Sequence, residues 1–209
     1  DEHTLYALDR ATGEVAWTFI AGGPIDSPPS IAYGRVVFGC RDGSVYCLTE
    51  EEGELAWRFQ AAPYDEMLVA HEQLESVWPV HGSVLIREGF VWFAAGRSSY
   101  LDGGVRLFAW ELGSLSSGFE QCFDGHDVDA WTQFQPRGPG IVPNMMPGTI
   151  PDILSSKGEH IYMGWTCFNQ SGELVPVQEP HLFSATGFLD DSWWHRTYWQ
   201  YGSWMKGGF

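Results

Sequence analysis

Residues Tyr6–Phe19 read YALDRATGEVAWTF, and residues Tyr46–Phe59 read YCLTEEEGELAWRF. At a shift of 40 positions Tyr6 meets Tyr46, Leu8 meets Leu48, Gly13-Glu14 meets Gly53-Glu54, Ala16-Trp17 meets Ala56-Trp57 and Phe19 meets Phe59. Two short apolar runs joined by a Gly-containing turn make a β-hairpin. A period near 40 residues is, among β repeats, that of a propeller blade. Helical repeats of this length need long amphipathic segments, and none is visible in the sequence.

Working outward from the two hairpins, one full period holds four short strands. They are Ser30–Tyr33, Val36–Cys40, Ser44–Leu48 and Glu54–Phe59, with turns at Gly34-Arg35, at Asp42-Gly43 and over Glu50–Gly53. A looser copy follows as Ser83–Ile86, Phe90–Ala94 and Val105–Trp110, its outer strand worn to ELGSLSSGFEQCF. A fainter one runs through Asp152–Ser155, His160–Phe168 and Gly172-Glu173-Leu174. The fold class expected is all-β, a single partial β-propeller of about four blades of four antiparallel strands. Its blades fall near residues 1–20, 21–60, 81–123 and 150–178. Residues 61–80 and 124–149 read as insertions, and the Trp-rich residues 181–209 read as an aromatic tail that fits no blade.

The composition agrees. Aromatic residues make up 15% of the chain, with 25 Gly and 12 Pro, a mix that suits flat side chains on short strands between turns. Lys and Arg number 11 against 27 Asp and Glu, and the resulting charge of -16 repels phosphate backbones, so nucleic-acid binding is not expected. No apolar stretch approaches the roughly 20 residues that span a bilayer, so membrane insertion is not expected either. Asp1 opens the sequence inside the repeat, with neither an initiator Met nor a signal peptide before it, which leads one to expect a processed product or part of a longer protein.

Cys40, Cys47, Cys122 and Cys167 form no CxxC pattern, so zinc-ribbon, thioredoxin-like and c-type haem readings lack their signature. A two-residue Asp42-Gly43 turn would put Cys40 opposite Val45 and diagonal to Cys47 on one face. Diagonal Cα atoms lie about 7–8 Å apart, beyond the usual reach of a disulfide. The state of all four thiols stays open at this point.

The pattern Ala7-x-Asp9-x-x-Thr12-Gly13-Glu14-x-x-Trp17 resembles the tryptophan-docking repeat of quinoprotein (PQQ-type) β-propellers and of outer-membrane assembly lipoproteins of the BamB kind. The second copy keeps Gly53, Glu54 and Trp57 but has Thr49 and Glu52 where that repeat has Asp and Thr. The stretches ESVWPVHGSVL, AAGRSSYLDGGVRLFA and HLFSATGFLDDSWWHRTYWQYG resemble PQQ-like repeat proteins of planctomycete-type bacteria. In that resemblance Thr12, Gly13, Trp17, Gly53 and Trp57 are structural: the Gly makes a turn at positive φ, and the Trp stacks over the next blade's turn.

The resemblance also raises a quinone enzyme. Quinoprotein dehydrogenases share a Ca²⁺ site, a catalytic Asp, an Arg near the quinone and often a vicinal Cys-Cys disulfide. This chain has no Cys-Cys pair, and Asp190-Asp191 with Arg196 match in residue type alone. No catalytic residue, metal site or resident cofactor is therefore assigned, with PQQ and Ca²⁺ kept as alternatives. The candidate ligand-binding residues are Asp190, Asp191, Trp194, His195, Arg196 and Trp199 in DDSWWHRTYW. There a carboxylate would orient an imidazole beside an aromatic platform, though a rim loop covering blade seams accounts for the same residues. Elsewhere, His71, Glu75 and His81 match no metal-ligand spacing, DGHDVD (124–129) reads as an acidic loop without EF-hand spacing, and Arg97 with Asp102 reads as a turn-bracing pair.

The function that follows is a non-catalytic propeller scaffold or protein-interaction module of a larger extracytoplasmic assembly, periplasmic or at the cell surface. Its partners would be other proteins or further propeller blades, because open sheet edges invite pairing. The alternative is a ligand-binding or PQQ-dependent oxidoreductase subunit with a pocket built from the aromatic tail and the insertions.

Overall fold

The computed structural model describes residues 3–70, 72–97, 101–124, 153–163, 166–176, 179–184 and 199–202. Those residues contain strands and turns and no helix. The first sheet is the hairpin β1 (Thr4–Leu8) and β2 (Val15–Ile20). The second has four antiparallel strands, β3 (Ser30–Ala32), β4 (Arg35–Gly39), β5 (Ser44–Thr49) and β6 (Leu55–Gln60). A small hairpin of β7 (Met67–Ala70) and β8 (Gln73–Ser76) stands inside the 61–80 insertion. The third sheet is β9 (Leu85–Arg87), β10 (Phe90–Ala95), β11 (Val105–Glu111) and β12 (Gly118–Phe123). The fourth is β13 (Leu154–Lys157), β14 (His160–Met163), β15 (Thr166–Phe168) and β16 (Leu174–Val175), and the last is the pair β17 (His181–Ser184) and β18 (Trp199–Gly202). The four-stranded sheets are meanders in strict sequence order, the blade topology the 40-residue period predicts.

Period-two alternation gives the second and third sheets two apolar faces that belong to two different cores. Val36, Phe38, Cys40, Tyr46 and Leu48 pack with Leu5, Trp17 and Phe19 of the first sheet. The intervening Val37, Val45 and Cys47, with Trp57 and Phe59, face the third sheet's Val91, Phe93, Phe108 and Trp110. The third sheet's other face, including Trp92, Ala94 and Leu107, meets Leu154, Ile161, Met163 and Phe168 of the fourth. Aromatic rings dominate these seams: Phe93 stacks on Phe108 at 5.1 Å and meets the edge of Phe59 at 5.7 Å.

The same alternation corrects the cysteine geometry. The β4–β5 loop has three residues rather than two, because Gly39 pairs with Val45 and the Cys40 amide donates to the Ser44 carbonyl at 3.0 Å. Gly43, at φ 81°, closes it in the left-handed conformation. Cys47 therefore sits opposite Val37, and Cys40 and Cys47 point into different seams. All four cysteines are free thiols. Burial, reinforced by the charge of Asp42, pushes the Cys40 thiol up to about 12, and burial pushes Cys47 up to about 11. Thiols held that far above neutrality are poor nucleophiles.

Three further boundaries differ from the sequence reading. The β3–β4 turn is Tyr33-Gly34, both at positive φ as a type I′ turn requires, and Arg35 already belongs to β4. His160–Phe168 is two strands, with Met163 paired to Thr166, a reversal hidden by an unbroken apolar run. Within the aromatic tail, His181–Ser184 pairs with Trp199–Gly202 as a further hairpin, and His181 stacks on Tyr162 of the fourth sheet at 3.6 Å. The sequence pattern missed it because the two strands are 14 residues apart and share no turn signal.

Candidate functional site

The loops at one end of the second and third sheets converge through main-chain bonds. Arg41 lies between β4 and β5, and its carbonyl accepts from the Ser76 amide at 2.7 Å. The Val80 amide donates to the Cys40 carbonyl at 3.1 Å, and the Gly96 amide, just past β10, donates to Pro79 at 3.0 Å. The Ser76–His81 segment is thereby fastened across the boundary between two sheets. The Trp78 indole donates to the Asp102 carbonyl at 2.7 Å, and the Ser27 hydroxyl to the Gly82 carbonyl at 2.9 Å.

Five charged or titratable side chains meet at this junction. Arg41 grips Asp26 with two parallel bonds, Nε to Oδ2 at 2.7 Å and Nη2 to Oδ1 at 2.8 Å, and reaches Glu75 with Nη1 at 3.2 Å. Arg97 donates to the other oxygen of Glu75, and Nδ1 of His81 lies 2.6 Å from Asp26 Oδ2. Glu75 and His81 are buried, whereas Arg41, Asp26 and Arg97 keep a limited outlet to solvent. A buried carboxylate such as Glu75 is tolerable only when paired, and two guanidinium groups supply that pairing. Burial alone would raise the Asp26 carboxyl, but hydrogen bonds and charge from His81 and Arg41 outweigh it and hold the group at about 2.

The pH dependence has a definite sign. A carboxyl at about 2 in the folded chain and about 3.9 unfolded adds stability above about pH 4, which is lost as pH falls through about 2. The contribution is on the order of 2 kcal/mol. An Asp26→Asn variant is expected to show a shallower acid limb over that window than the parent chain, read from urea midpoints measured from neutral pH downward.

Beside this cluster, Asp42 accepts from the Tyr46 hydroxyl at 2.5 Å and from Arg58 Nη2 at 2.9 Å, and the Arg58 guanidinium lies 5.2 Å from the centre of the Tyr46 ring. The two acid–arginine groups together line one end of the sheets.

The repeat residues lie at the seams. The Trp17 indole donates to the Glu50 carbonyl at 3.0 Å, and the Trp57 indole to the Leu112 carbonyl at 2.8 Å, each the turn after the third strand of the next sheet. Gly13 and Gly53 both take positive φ and donate to Asp9 and Thr49 respectively, and Thr12 N–H donates to the Asp9 carboxylate at 2.8 Å. Any side chain at Gly53 would run into the Trp17 ring, so the glycine is required by space as well as by φ. Leu115 takes the corresponding positive φ in the third turn, donating to the Glu111 carbonyl at 3.0 Å.

Of the candidate ligand-binding residues, Trp199 lies on β18 and is half exposed, while Asp190, Asp191, Trp194, His195 and Arg196 fall outside the described residues, as do His71 and residues 125–129. Glu75 and His81 do come together at one site, yet through Arg41 and Asp26 rather than through a metal. Arg97 takes Glu75 as its hydrogen-bonding partner, with the charge of Asp102 added nearby. Among the described residues no three His, Cys, Asp or Glu side chains converge as metal ligands. Asp26 and Arg41 were not legible as site residues: each is a single charge beside a turn, and only Glu75 and His81, polar residues inside the apolar run ESVWPVHGSVL, could have pointed to a buried partner.

Residues 1–97 match the family described as outer membrane protein assembly factor BamB. No curated protein matches the sequence. Among solved structures, BamB from Moraxella catarrhalis is similar with a TM-score of 0.51 and 14% identity, over 88% of this chain and 49% of that one. Quinohemoprotein alcohol dehydrogenase from Comamonas testosteroni is similar over 56% of this chain and 18% of that one, with 18% identity and a TM-score of 0.45. A europium-containing methanol dehydrogenase is similar over 80% and 30%, with 14% identity and a TM-score of 0.47. The chain thus spans about half the length of the BamB structure and a smaller share of the two dehydrogenases. Residues 1–97 thus carry the PQQ-like repeat, and the successive four-stranded antiparallel sheets together with the likeness to the BamB structure show a β-propeller fold.

Proposed function

We propose that the chain is a non-catalytic propeller scaffold, a protein-interaction module of a larger extracytoplasmic assembly, and that its 209 residues form one partial propeller. The observation that carries this reading is how three indoles and the charged groups of the loop junction, among the described residues, are committed. The indoles of Trp17, Trp57 and Trp78 donate to backbone carbonyls of neighbouring turns, and the charged groups at the loop junction pair with one another. Trp17 and Trp57 act as docking residues that lock adjacent blades, with Thr12, Gly13 and Gly53 shaping the turns. The assembly-factor family matched by residues 1–97 supports the interaction role and a periplasmic or cell-surface place.

A second reading, a ligand-binding or PQQ-dependent oxidoreductase subunit, has one observation of its own. His81 is held by Asp26 through Nδ1, while its buried Nε2 has no hydrogen-bond partner. An imidazole oriented by a carboxylate is the arrangement of a general base. The two readings separate in a titration of natively purified chain with PQQ and Ca²⁺, followed by quinone absorbance and Trp fluorescence. The scaffold reading expects no saturable change; a saturable one-to-one signal that His81→Ala abolishes would sink it.

A further inference from the structure

Two Asp-Gly pairs lie wholly within the described residues, Asp42-Gly43 and Asp102-Gly103, and the fold treats them in opposite ways. An Asp-Gly bond carries a chemistry of its own. The glycine nitrogen can attack the aspartate Cγ, because glycine has no side chain to hinder the approach. The N–Cγ bond forms, the amide proton and a carboxyl hydroxyl leave as water, and a five-membered succinimide results. Solvent water then opens the ring at one of its two carbonyls. Opening at Cγ restores aspartate, whereas opening at the main-chain carbonyl breaks its bond to nitrogen and leaves isoaspartate. One water is lost and one is taken up, so the product is an isomer of the starting chain. In a folded protein the rate depends on whether the nitrogen and the carboxyl are free to meet.

At Asp42-Gly43 both reactants are engaged. The Gly43 amide donates to the Cys40 carbonyl at 3.2 Å. The Asp42 carboxylate accepts from the Ser44 amide at 3.0 Å through Oδ1, and from the Tyr46 hydroxyl and Arg58 Nη2 through Oδ2. Its side chain is only 8% exposed, and Gly43 lies against Ala62 and Ser76. At Asp102-Gly103 neither reactant is held. The Gly104 amide donates to the Leu101 carbonyl at 2.9 Å, with Asp102 at φ 53° and Gly103 at φ 78°, which makes residues 101–104 a type I′ turn. Such a turn engages the amide of its fourth residue and not that of its third. Among the described residues nothing accepts from the Gly103 amide or donates to the Asp102 carboxylate. Both residues are exposed, and nothing lies within 4 Å of the place a side chain on Gly103 would take.

We infer that Asp102-Gly103 is a site of spontaneous isoaspartate formation in the folded chain, and thereby a substrate for enzymatic methyl transfer to the isoaspartyl carboxylate. The consequence reaches the loop junction. The Asp102 main-chain carbonyl is the acceptor of the Trp78 indole at 2.7 Å. It is also the carbonyl that the second ring opening turns into a free carboxylate, while the main chain beside it gains a methylene. The net charge does not change, but it moves from the Asp102 side chain into the anchor of Trp78. Trp78 belongs to the segment that fastens the second sheet to the third, through the Val80 and Pro79 main-chain bonds. The Asp102 charge that acts on Arg97 shifts with it.

The test ages the whole folded chain near neutral pH, digests it with trypsin and labels the digest with isoaspartyl methyltransferase and methyl-labelled S-adenosylmethionine. Cleavage after Arg41, Arg58, Arg97 and Arg106 puts the two pairs on separate peptides, residues 42–58 and 98–106. Label is expected on the 98–106 peptide at least about tenfold faster than on the 42–58 peptide, whose attacking amide must first give up its hydrogen bond. In guanidinium chloride, where the fold no longer distinguishes them, the two peptides are expected to label alike. Asp102→Glu keeps the charge but requires a slower six-membered ring, so it is expected to lose the label. The turn accepts that residue type, since Glu72 and Glu88 already sit at positive φ in this chain. Equal labelling of the two peptides from the folded chain overturns the inference, as does a preference that denaturation leaves unchanged. So does label that stays on the 98–106 peptide in Asp102→Glu, or its absence there in the parent chain.

Discussion

Replacing Arg41 with alanine is expected to lower the unfolding free energy by about 3–5 kcal/mol, because it removes one partner of a largely buried ion pair. The loss falls on two carboxylates at once: Asp26 gives up both of its bonds to the guanidinium, and Glu75, only 1% exposed, gives up one. The lower end of the range is expected, since Arg97 still holds Glu75 and His81 still holds Asp26. Arg41→Lys should recover only part of the loss, because an ammonium cannot reproduce the parallel two-point grip on Asp26. Urea midpoints at a constant slope measure both variants. A change below about 1 kcal/mol for Arg41→Ala would mean that water replaces the guanidinium and that the junction is a surface ion pair.

Phe93→Ala is expected to cost about 3–5 kcal/mol by opening a cavity in the seam between the second and third sheets. Phe93 is fully buried, stacked on Phe108 of its own sheet and edge-on to Phe59 of the preceding one, so its ring joins two blades. In a chain of repeated units stability resides partly in the interfaces between neighbours. The variant should therefore show a shallower denaturant slope as well as a lower midpoint, as blades begin to unfold separately. Val69→Ala, at a side chain 74% exposed on the β7–β8 hairpin, should stay within about 0.5 kcal/mol of the parent.

The sequence made the repeat legible because its signals are local. Gly-Glu marks a turn, the following Trp marks the fourth strand, and both recur at a spacing of 40 residues. The third turn escaped this reading because Leu115 occupies a positive-φ position where the first two turns have glycine. The β17–β18 pairing escaped because no turn signal links its strands. The loop junction was not visible as such: Glu75 and His81 were weighed only as metal ligands whose spacing matches no template, and Asp26 and Arg41 sit 55 and 34 residues from their partners His81 and Glu75. Turn chemistry announces itself within a few residues, whereas an ion pair across two sheets is a property of their packing. The same limit explains the Cys40–Cys47 geometry, since a loop of two or three residues changes one letter of local pattern yet moves every side chain of a strand to the other face.

The seams described above also bear on how the chain reaches its fold. Each joins a sheet to the one that follows it, and the indole bonds that stitch them, Trp17 to Glu50 and Trp57 to Leu112, close spans of 33 and 55 residues. Each of the three described cores is thus complete as soon as the next sheet has been made. Structure can then accumulate from the N-terminal end at the pace of synthesis, and each new blade finds a finished surface on which to form.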